Sequence, residues 1–490
     1  MGQARDWFGH PAAIHIVSAL AAMERFAYAG LMAVLVLFLS APLERYGLNW
    51  SEPDAVVLVG VVTAMLYGLM FLGGLAADHV LGLRRALILG ACLLAAGHAA
   101  IGLPALLPDL LGTLYGGPVR ELVVAAHLPL GQFAEAAGAA ARLRSLAPDP
   151  ATLAAARLVY PLSAISLYGS ILCFSAGGWL FVTSATTAIG RCYAHDDIRR
   201  DAGFAIYFLY LSIGFAAATL ISGTLGIAYG FPFGFLTNGI AIAIGLALFL
   251  LGPRIDLTGS GSAQDEQHSA QPETIGASAI MAFATLAALA LVFWLSYDQV
   301  FGYLSLLIEN RVDRRIGAFA IPTPWFLAIN PIVWIVFSPL LAMLWTHLGK
   351  SGRGVNYVSR FAIGLALMAL CFATIGSAAL FAPTASAGIA AAPVMLALVI
   401  HGLAEMILGP AGYALISRAI PVRHVALVTG MWFGINAMSG LLSGYFGLIC
   451  VHHGPVALCL VVGIGCLVAS ALLFALLKPL SRSIGAGVQP

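Results

Sequence analysis

Five ionisable side chains stand inside long apolar runs, and chemistry can occur at those positions. Glu24 and Arg25 are adjacent in Met23-Glu24-Arg25-Phe26-Ala27-Tyr28. Asp298 closes Phe293-Trp294-Leu295-Ser296-Tyr297-Asp298, and Glu405 follows His401 in His401-Gly402-Leu403-Ala404-Glu405. A charge at the centre of a membrane helix costs about 2.5–3.5 kcal/mol on insertion scales, so each needs a partner or a task. A carboxylate in such a run can exchange a proton as its surroundings change from wet to dry. It can also hold a cationic group. Neighbours at i and i+1 leave a helix in different directions, so Glu24 and Arg25 need not pair with each other. Arg25 can neutralise an acid on another helix while Glu24 carries a proton. Each position also has a plainer reading: a packing ion pair for Glu24 and Arg25, a solvated acid for Asp298, and a neutral acid bonded to a neighbouring helix for Glu405.

The elements that must hold these residues follow from composition. Of 490 residues, 61% are hydrophobic and only 9% charged, against about 25% charged in an ordinary globular protein. Such a chain cannot coat a soluble surface of its own size, and a mean hydropathy of +0.97 points to many membrane helices. The net charge of +2 gives no reason to expect a nucleic-acid partner. Seven cysteines without a CxxC, and no His-rich cluster, give neither a disulfide framework nor a metal site.

A bilayer core of about 30 Å requires roughly 20 apolar residues in a helix. Runs of that kind lie near 12–40, 55–78, 84–105, 158–190, 202–224, 231–252, 277–308, 322–347, 357–381, 390–417, 424–450 and 455–478. The sequence therefore predicts an all-α membrane protein of twelve transmembrane helices in two six-helix halves, 1–252 and 277–490. The polar linker between them, 253–276, carries Gly259-Ser260-Gly261-Ser262 and reads as a flexible tether. With a cytoplasmic N-terminus, 14 Lys and Arg fall inside and 8 outside, so both termini are expected in the cytoplasm of a cell whose inner membrane holds the chain. The first apolar run is too long for a cleavable signal and reads as the first membrane helix. The connection at 106–157 is too long for a simple loop. It is expected to start in a Pro/Gly-rich stretch and to carry one Ala-rich helix, Gln132 to Leu146, on the extracytoplasmic face. Two six-helix halves joined by a tether are the architecture of the major facilitator transporters, with a channel, a receptor or an embedded transferase as alternatives.

Gly73-Gly74-Leu75-Ala76-Ala77-Asp78-His79-Val80-Leu81-Gly82-Leu83-Arg84-Arg85 matches the major facilitator signature of the second-to-third loop. Asp78 can cap a helix end and pair with a basic residue, so Asp78, Arg84 and Arg85 are the candidate gating latch.

With those residues in hand, the chain resembles the proton-dependent oligopeptide transporter family over nearly its whole length. Met23 to Gly30 looks like that family's ExxERFxYYG motif, and Phe204 to Gly214 like its FYxxINxG. Phe293 to Gln299 resembles FWxxYEQ, and Ile321-Pro322-Thr323-Pro324-Trp325-Phe326 with Asn330-Pro331 resembles its eighth span. Gly402 to Gly412 resembles GELxxSPxG. The departures are specific. Ala21 replaces the first acid of ExxER, Met32 and Leu180 stand where the family has basic residues, and Ser212 replaces the span-five asparagine. In the family those cations help hold a peptide's carboxylate, and the span-ten Glu holds its amino group. This chain keeps the amine-side acid and lacks the carboxylate-side cations, and a buried carboxylate without a cation is strongly penalised.

The resemblance implies a proton-coupled symporter of a small peptide-like or amine-bearing solute. Glu24, Arg25 and Asp298 would couple protons and Glu405 would contact substrate. Tyr28, Trp294, Tyr297, Trp325 and Trp432 would line the cavity. The proton gradient is the expected driving force, with no cofactor or metal, and a monomer in the bilayer is expected. The alternatives are an uncoupled facilitator or an exporter of a non-peptide solute. An embedded transferase would have His401 with Glu405 as its catalytic pair.

Overall fold

Inside lipid no water is available to satisfy backbone N–H and C=O groups, so an apolar run must close its hydrogen bonds within itself. The structure, a computed structural model, describes residues 6–146, 149–193, 199–252, 277–382, 388–419 and 422–484. The tether at 253–276 lies outside the described residues. Among the described residues twelve helices are long and apolar enough to cross a bilayer: Ala12–Ser40, Glu52–Leu81, Leu83–Ala100, Pro150–Arg191, Ala202–Tyr229, Phe231–Leu251, Ile280–Arg311, Thr323–Lys350, Tyr357–Leu380, Ala391–Ile416, Val428–His453 and Pro455–Ala475. These are spans one to twelve. Extended structure among the described residues is confined to two-residue pairings in loops, such as Arg315–Ile316 with Phe319–Ala320.

Contacts group the chain into two compact units, Met1–Ala55 with Phe71–Thr258, and Val56–Met70 with Gly259–Pro490. In the first unit, spans one, five and six share a core of Phe26, Ala29, Ala218 and Ala241, flanked by Met23 and Phe215. Span four leaves Leu158, Leu162, Ile165 and Leu172 exposed at helical spacing, an apolar stripe suited to lipid.

Span four starts at Pro150, earlier than the expected 158. Its cap supplies the reason. The Asp149 carboxylate accepts the Thr152 N–H at 2.8 Å and the Thr152 hydroxyl at 2.6 Å, with proline in the first turn. The Thr152 hydroxyl, and after it the Thr152 N–H, hold the Asp149 carboxyl below its usual range. The preceding connection holds three helices, Leu103–Tyr115, Val119–Ala126 and Phe133–Leu146, rather than one. Its Pro/Gly-rich start continues a helix that opens with Pro104 in its first turn, where a missing N–H is harmless, and that also contains Pro108. Arg120 fastens this insert. It donates to Asp109 at 2.8 Å and to the Leu43 carbonyl at 2.8 Å, and lies 4.0 Å over the Tyr46 ring. Trp50 Nε1 donates to the Leu130 carbonyl at 2.5 Å, and Leu130 N–H donates to Leu48 O at 2.9 Å.

In the second unit, span seven is broken. Helix Ala277–Asp298 ends, the chain turns through Gln299 to Gly302, and helix Tyr303–Arg311 resumes. Gly302 adopts φ −107° and ψ −110°, outside any helical region. The break falls directly after the candidate acid.

Candidate functional site

In the first unit, Glu24 is buried and its Oε2 lies 3.8 Å from Arg25 Nε. Adjacent residues point apart at Cβ, but the long arginine arm turns back far enough to pair. The guanidinium also sits 5.0 Å above the Tyr28 ring, which meets Phe215 edge to face at 6.5 Å. Met32 and Ala21 are fully buried and Leu180 is half-buried. The charge centre of this unit is thus a sequence-local ion pair under an aromatic lid.

Among the described residues, Asp78 is not paired with Arg84 or Arg85. Asp78 is exposed on a π-helical turn, Ala77–Leu81, and makes no hydrogen bond or ion pair among the described residues. Arg84 instead lies 5.5 Å over the Phe249 ring, and Arg85 is exposed. The reason is local. Gly82 turns the chain at φ +74°, a conformation that favours glycine, so the helix carrying Arg84 and Arg85 starts in a new direction.

In the second unit the two acids are held by hydrogen bonds from neutral donors. Asp298 closes the first half of span seven, at a helix C-terminus, the end that favours a cation and disfavours an anion. The Ser439 hydroxyl, on span eleven, donates to Asp298 Oδ2 at 2.9 Å. The Ser439 Oγ also lies 2.8 Å from the Asn436 carbonyl, to which it can donate instead. A hydroxyl has one hydrogen and two lone pairs. Ser439 can therefore donate to an ionised Asp298. Once Asp298 is protonated, Ser439 can accept from it and turn its own hydrogen to Asn436. Gln299, next in the chain, donates to the Ser443 carbonyl at 3.1 Å and to the Ser443 hydroxyl at 3.0 Å, which fixes the break against span eleven.

Glu405 lies on span ten, facing span eight. A Cβ at Gly402 would stand 3.1 Å from Val333 Cβ and 3.5 Å from Asn330 Cα, so a bare α-carbon lets these two helices approach closely. Glu405 Oε2 accepts from Asn330 Nδ2 at 3.0 Å and from Trp334 Nε1 at 3.0 Å. Two donors converging on one oxygen suit a carboxylate. His401, one turn before Glu405, is buried, and its ring stacks on Tyr297 with centroids 4.6 Å apart. Its Nε2 meets the Tyr297 carbonyl at 3.3 Å and its Nδ1 meets Asn330 Nδ2 at 3.5 Å. No group of His, Cys, Asp and Glu able to hold a metal occurs among the described residues.

Of the aromatic candidates, Trp294 meets Phe293 and Tyr297 edge to face at 5.3 and 5.4 Å. Trp432 is buried against Phe361 and Tyr413. Trp325 packs on Phe319 of the loop hairpin before span eight. The structure thus joins Tyr297, His401 and Glu405 through Asn330, with Trp334 as a second donor to Glu405, while Ser439 holds Asp298 separately. Of those three connecting residues, Asn330 stood only in a motif, and Trp334 and Ser439 were not singled out in the sequence. A polar Asn in an apolar run was the one signal available.

A family model described as POT family matches residues 84–257 and 263–453. The chain belongs to the POT family. It is 23% identical to the dipeptide and tripeptide permease B of Photorhabdus luminescens, over 86% of this chain and 84% of that protein. It is 24% identical to the peptide transporter YePEPT of Yersinia enterocolitica subsp. palearctica, over 90% of this chain and 88% of that protein. Among solved structures, a POT family transporter in complex with 5-aminolevulinic acid superposes with a TM-score of 0.78 at 20% identity, covering 98% of both chains. This POT family chain therefore has the major facilitator fold, with twelve transmembrane helices in two six-helix halves. It is a multi-pass membrane transporter and not an enzyme. The transferase reading of His401 and Glu405 fails on the geometry as well, because both imidazole nitrogens face Tyr297 and Asn330.

Proposed function

We propose that this POT family transporter is a proton-coupled symporter of a small peptide-like or amine-bearing solute. It works as a monomer in the inner membrane, with both termini in the cytoplasm. The observation that carries the reading is the pair of acids in the second unit. Asp298 sits on a hydroxyl that can serve either of its protonation states, as a site that loads and releases a proton requires. Glu405 is preset by Asn330 and Trp334 as an acceptor for a substrate ammonium. Glu24 and Arg25 form the second charge centre that responds to protonation. Met32 and Leu180, where the family has cations, favour substrates whose carboxylate is masked or absent. The relatives named dipeptide and tripeptide permease support a peptide-like solute.

The test is uptake into proteoliposomes under an imposed pH gradient, with dipeptides carrying free and blocked C-termini. A symporter accumulates the blocked dipeptide above equilibrium. Equilibration without accumulation assigns the uncoupled reading that Ala21 would favour, and preference for the free carboxylate refutes the assignment of substrate charge.

A further inference from the structure

We infer that His401 is a positioning residue that ties the break in span seven to the orientation of Glu405. The inference rests on the proposed role of Glu405 as the substrate acid. Two pairs of residues at i, i+4 spacing face each other across the Gly402 contact: His401 and Glu405 on span ten, Asn330 and Trp334 on span eight. Trp334 can only donate, and the carboxylate beside it accepts, so the end of Asn330 that reaches Glu405 is its NH2 group. That group has two hydrogens. One goes to Glu405 Oε2, and the other points to His401 Nδ1, so Nδ1 must offer a lone pair. The remaining nitrogen, Nε2, then bears the hydrogen, and it faces a group that can only accept, the Tyr297 carbonyl.

Every donor in this relay from Tyr297 to Glu405 thus meets an acceptor in one arrangement alone, the Nε2–H tautomer with Asn330 in a single flip state. A second proton on Nδ1 would set donor against donor at Asn330. Tyr297 is the residue immediately before Asp298, and its carbonyl belongs to the last turn before the break. A shift of that turn when Asp298 gains or loses its proton moves the acceptor of His401. The stacked ring follows, and Asn330 must follow the ring or leave a half-buried N–H without its acceptor. His401 touches neither solute nor the exchanged proton in this scheme; it aligns the residue that holds Glu405.

Two substitutions separate polarity from packing. His401→Phe keeps a flat ring against Tyr297 and removes both nitrogens. His401→Gln keeps one donor and one acceptor and removes the ring. In proteoliposomes, His401→Phe is expected to raise the KM for a C-terminally blocked dipeptide about tenfold, equivalent to about 1.4 kcal/mol, the scale of one buried donor left unsatisfied. The maximal counterflow rate is expected to change less than twofold, and His401→Gln is expected to restore KM to within about twofold, on the same scale. Wild-type KM in His401→Phe, or equal loss in both variants, overturns the assignment. A readout free of transport comes from 15N spectra of the histidine-labelled wild-type protein, with the His401 signals identified by their absence in His401→Gln. A protonated Nε2 with a bare Nδ1 is expected, and the opposite tautomer or a doubly protonated ring overturns the relay. If wild type takes up no blocked dipeptide, the proposed substrate class falls while the 15N pattern still decides the relay.

Discussion

The two charged centres of the molecule solve the same problem in opposite ways. In the first unit Glu24 meets Arg25, charge against charge, within one turn of one helix. In the second unit Asp298 and Glu405 draw their hydrogen bonds from Ser439, Asn330 and Trp334, neutral donors on other helices. An ion pair places a compensating charge beside the acid, and in a dry setting that attraction is set against the desolvation of both partners. A hydroxyl or amide donor supports a carboxylate without neutralising it, which leaves the acid able to take up a proton or an ammonium. Under the proposed function, the acid that exchanges its proton on a neutral hydroxyl is Asp298 of the second unit, and the Glu24–Arg25 centre of the first responds with its countercharge already beside it.

The largest effect is expected at Asp298. Asp298→Asn should abolish accumulation of substrate under a pH gradient and leave counterflow exchange in place. Driven uptake at the wild-type rate would remove Asp298 from coupling. At Glu405 the expected effect is on affinity. Glu405→Gln should weaken binding of an amine-bearing solute by about 10- to 150-fold, the equivalent of 1.5–3 kcal/mol for a charge-assisted hydrogen bond. Equilibrium binding in detergent measures it, and an unchanged Kd would place the amine elsewhere. A cation returned to the first unit sharpens the contrast: Leu180→Lys should improve binding of free-carboxylate dipeptides by about tenfold and leave blocked ones alone. Competition between the two peptide classes reads this out. Equal gains for both would mean that the lysine acts through the field rather than at the carboxylate. The smallest effect is expected at Asp78, which is exposed and forms no pair among the described residues. Asp78→Ala should slow cycling without altering Kd and shift stability by less than about 0.5 kcal/mol. A large loss of binding with the fold intact would contradict this.

Much of the architecture was open to reading because lipid imposes length and apolarity on every crossing helix. Spans one and nine lie where the hydropathy placed them, to within a residue. Span four did not, because the Asp149 cap and Pro150 start the helix about two turns before the long apolar run, and Arg157 interrupts the hydropathy between them. The break after Asp298 was also hidden. The residues around it form one continuous apolar run, and Gly302 differs from a packing glycine only in its backbone angles.

The sequence by itself determined the twelve apolar runs, the membrane setting, the family motifs and the identity of the rare intramembrane charges. Composition and spacing along one chain are sufficient for those. The tertiary structure alone decided what each charge meets. Ser439 reaches Asp298 across 141 positions of sequence, and Asn330 reaches Glu405 across 75. A polar side chain in an apolar helix advertises only that it needs a partner. Which partner it finds depends on how closely the helices approach, and at Gly402 that approach is set by the absence of a single side chain.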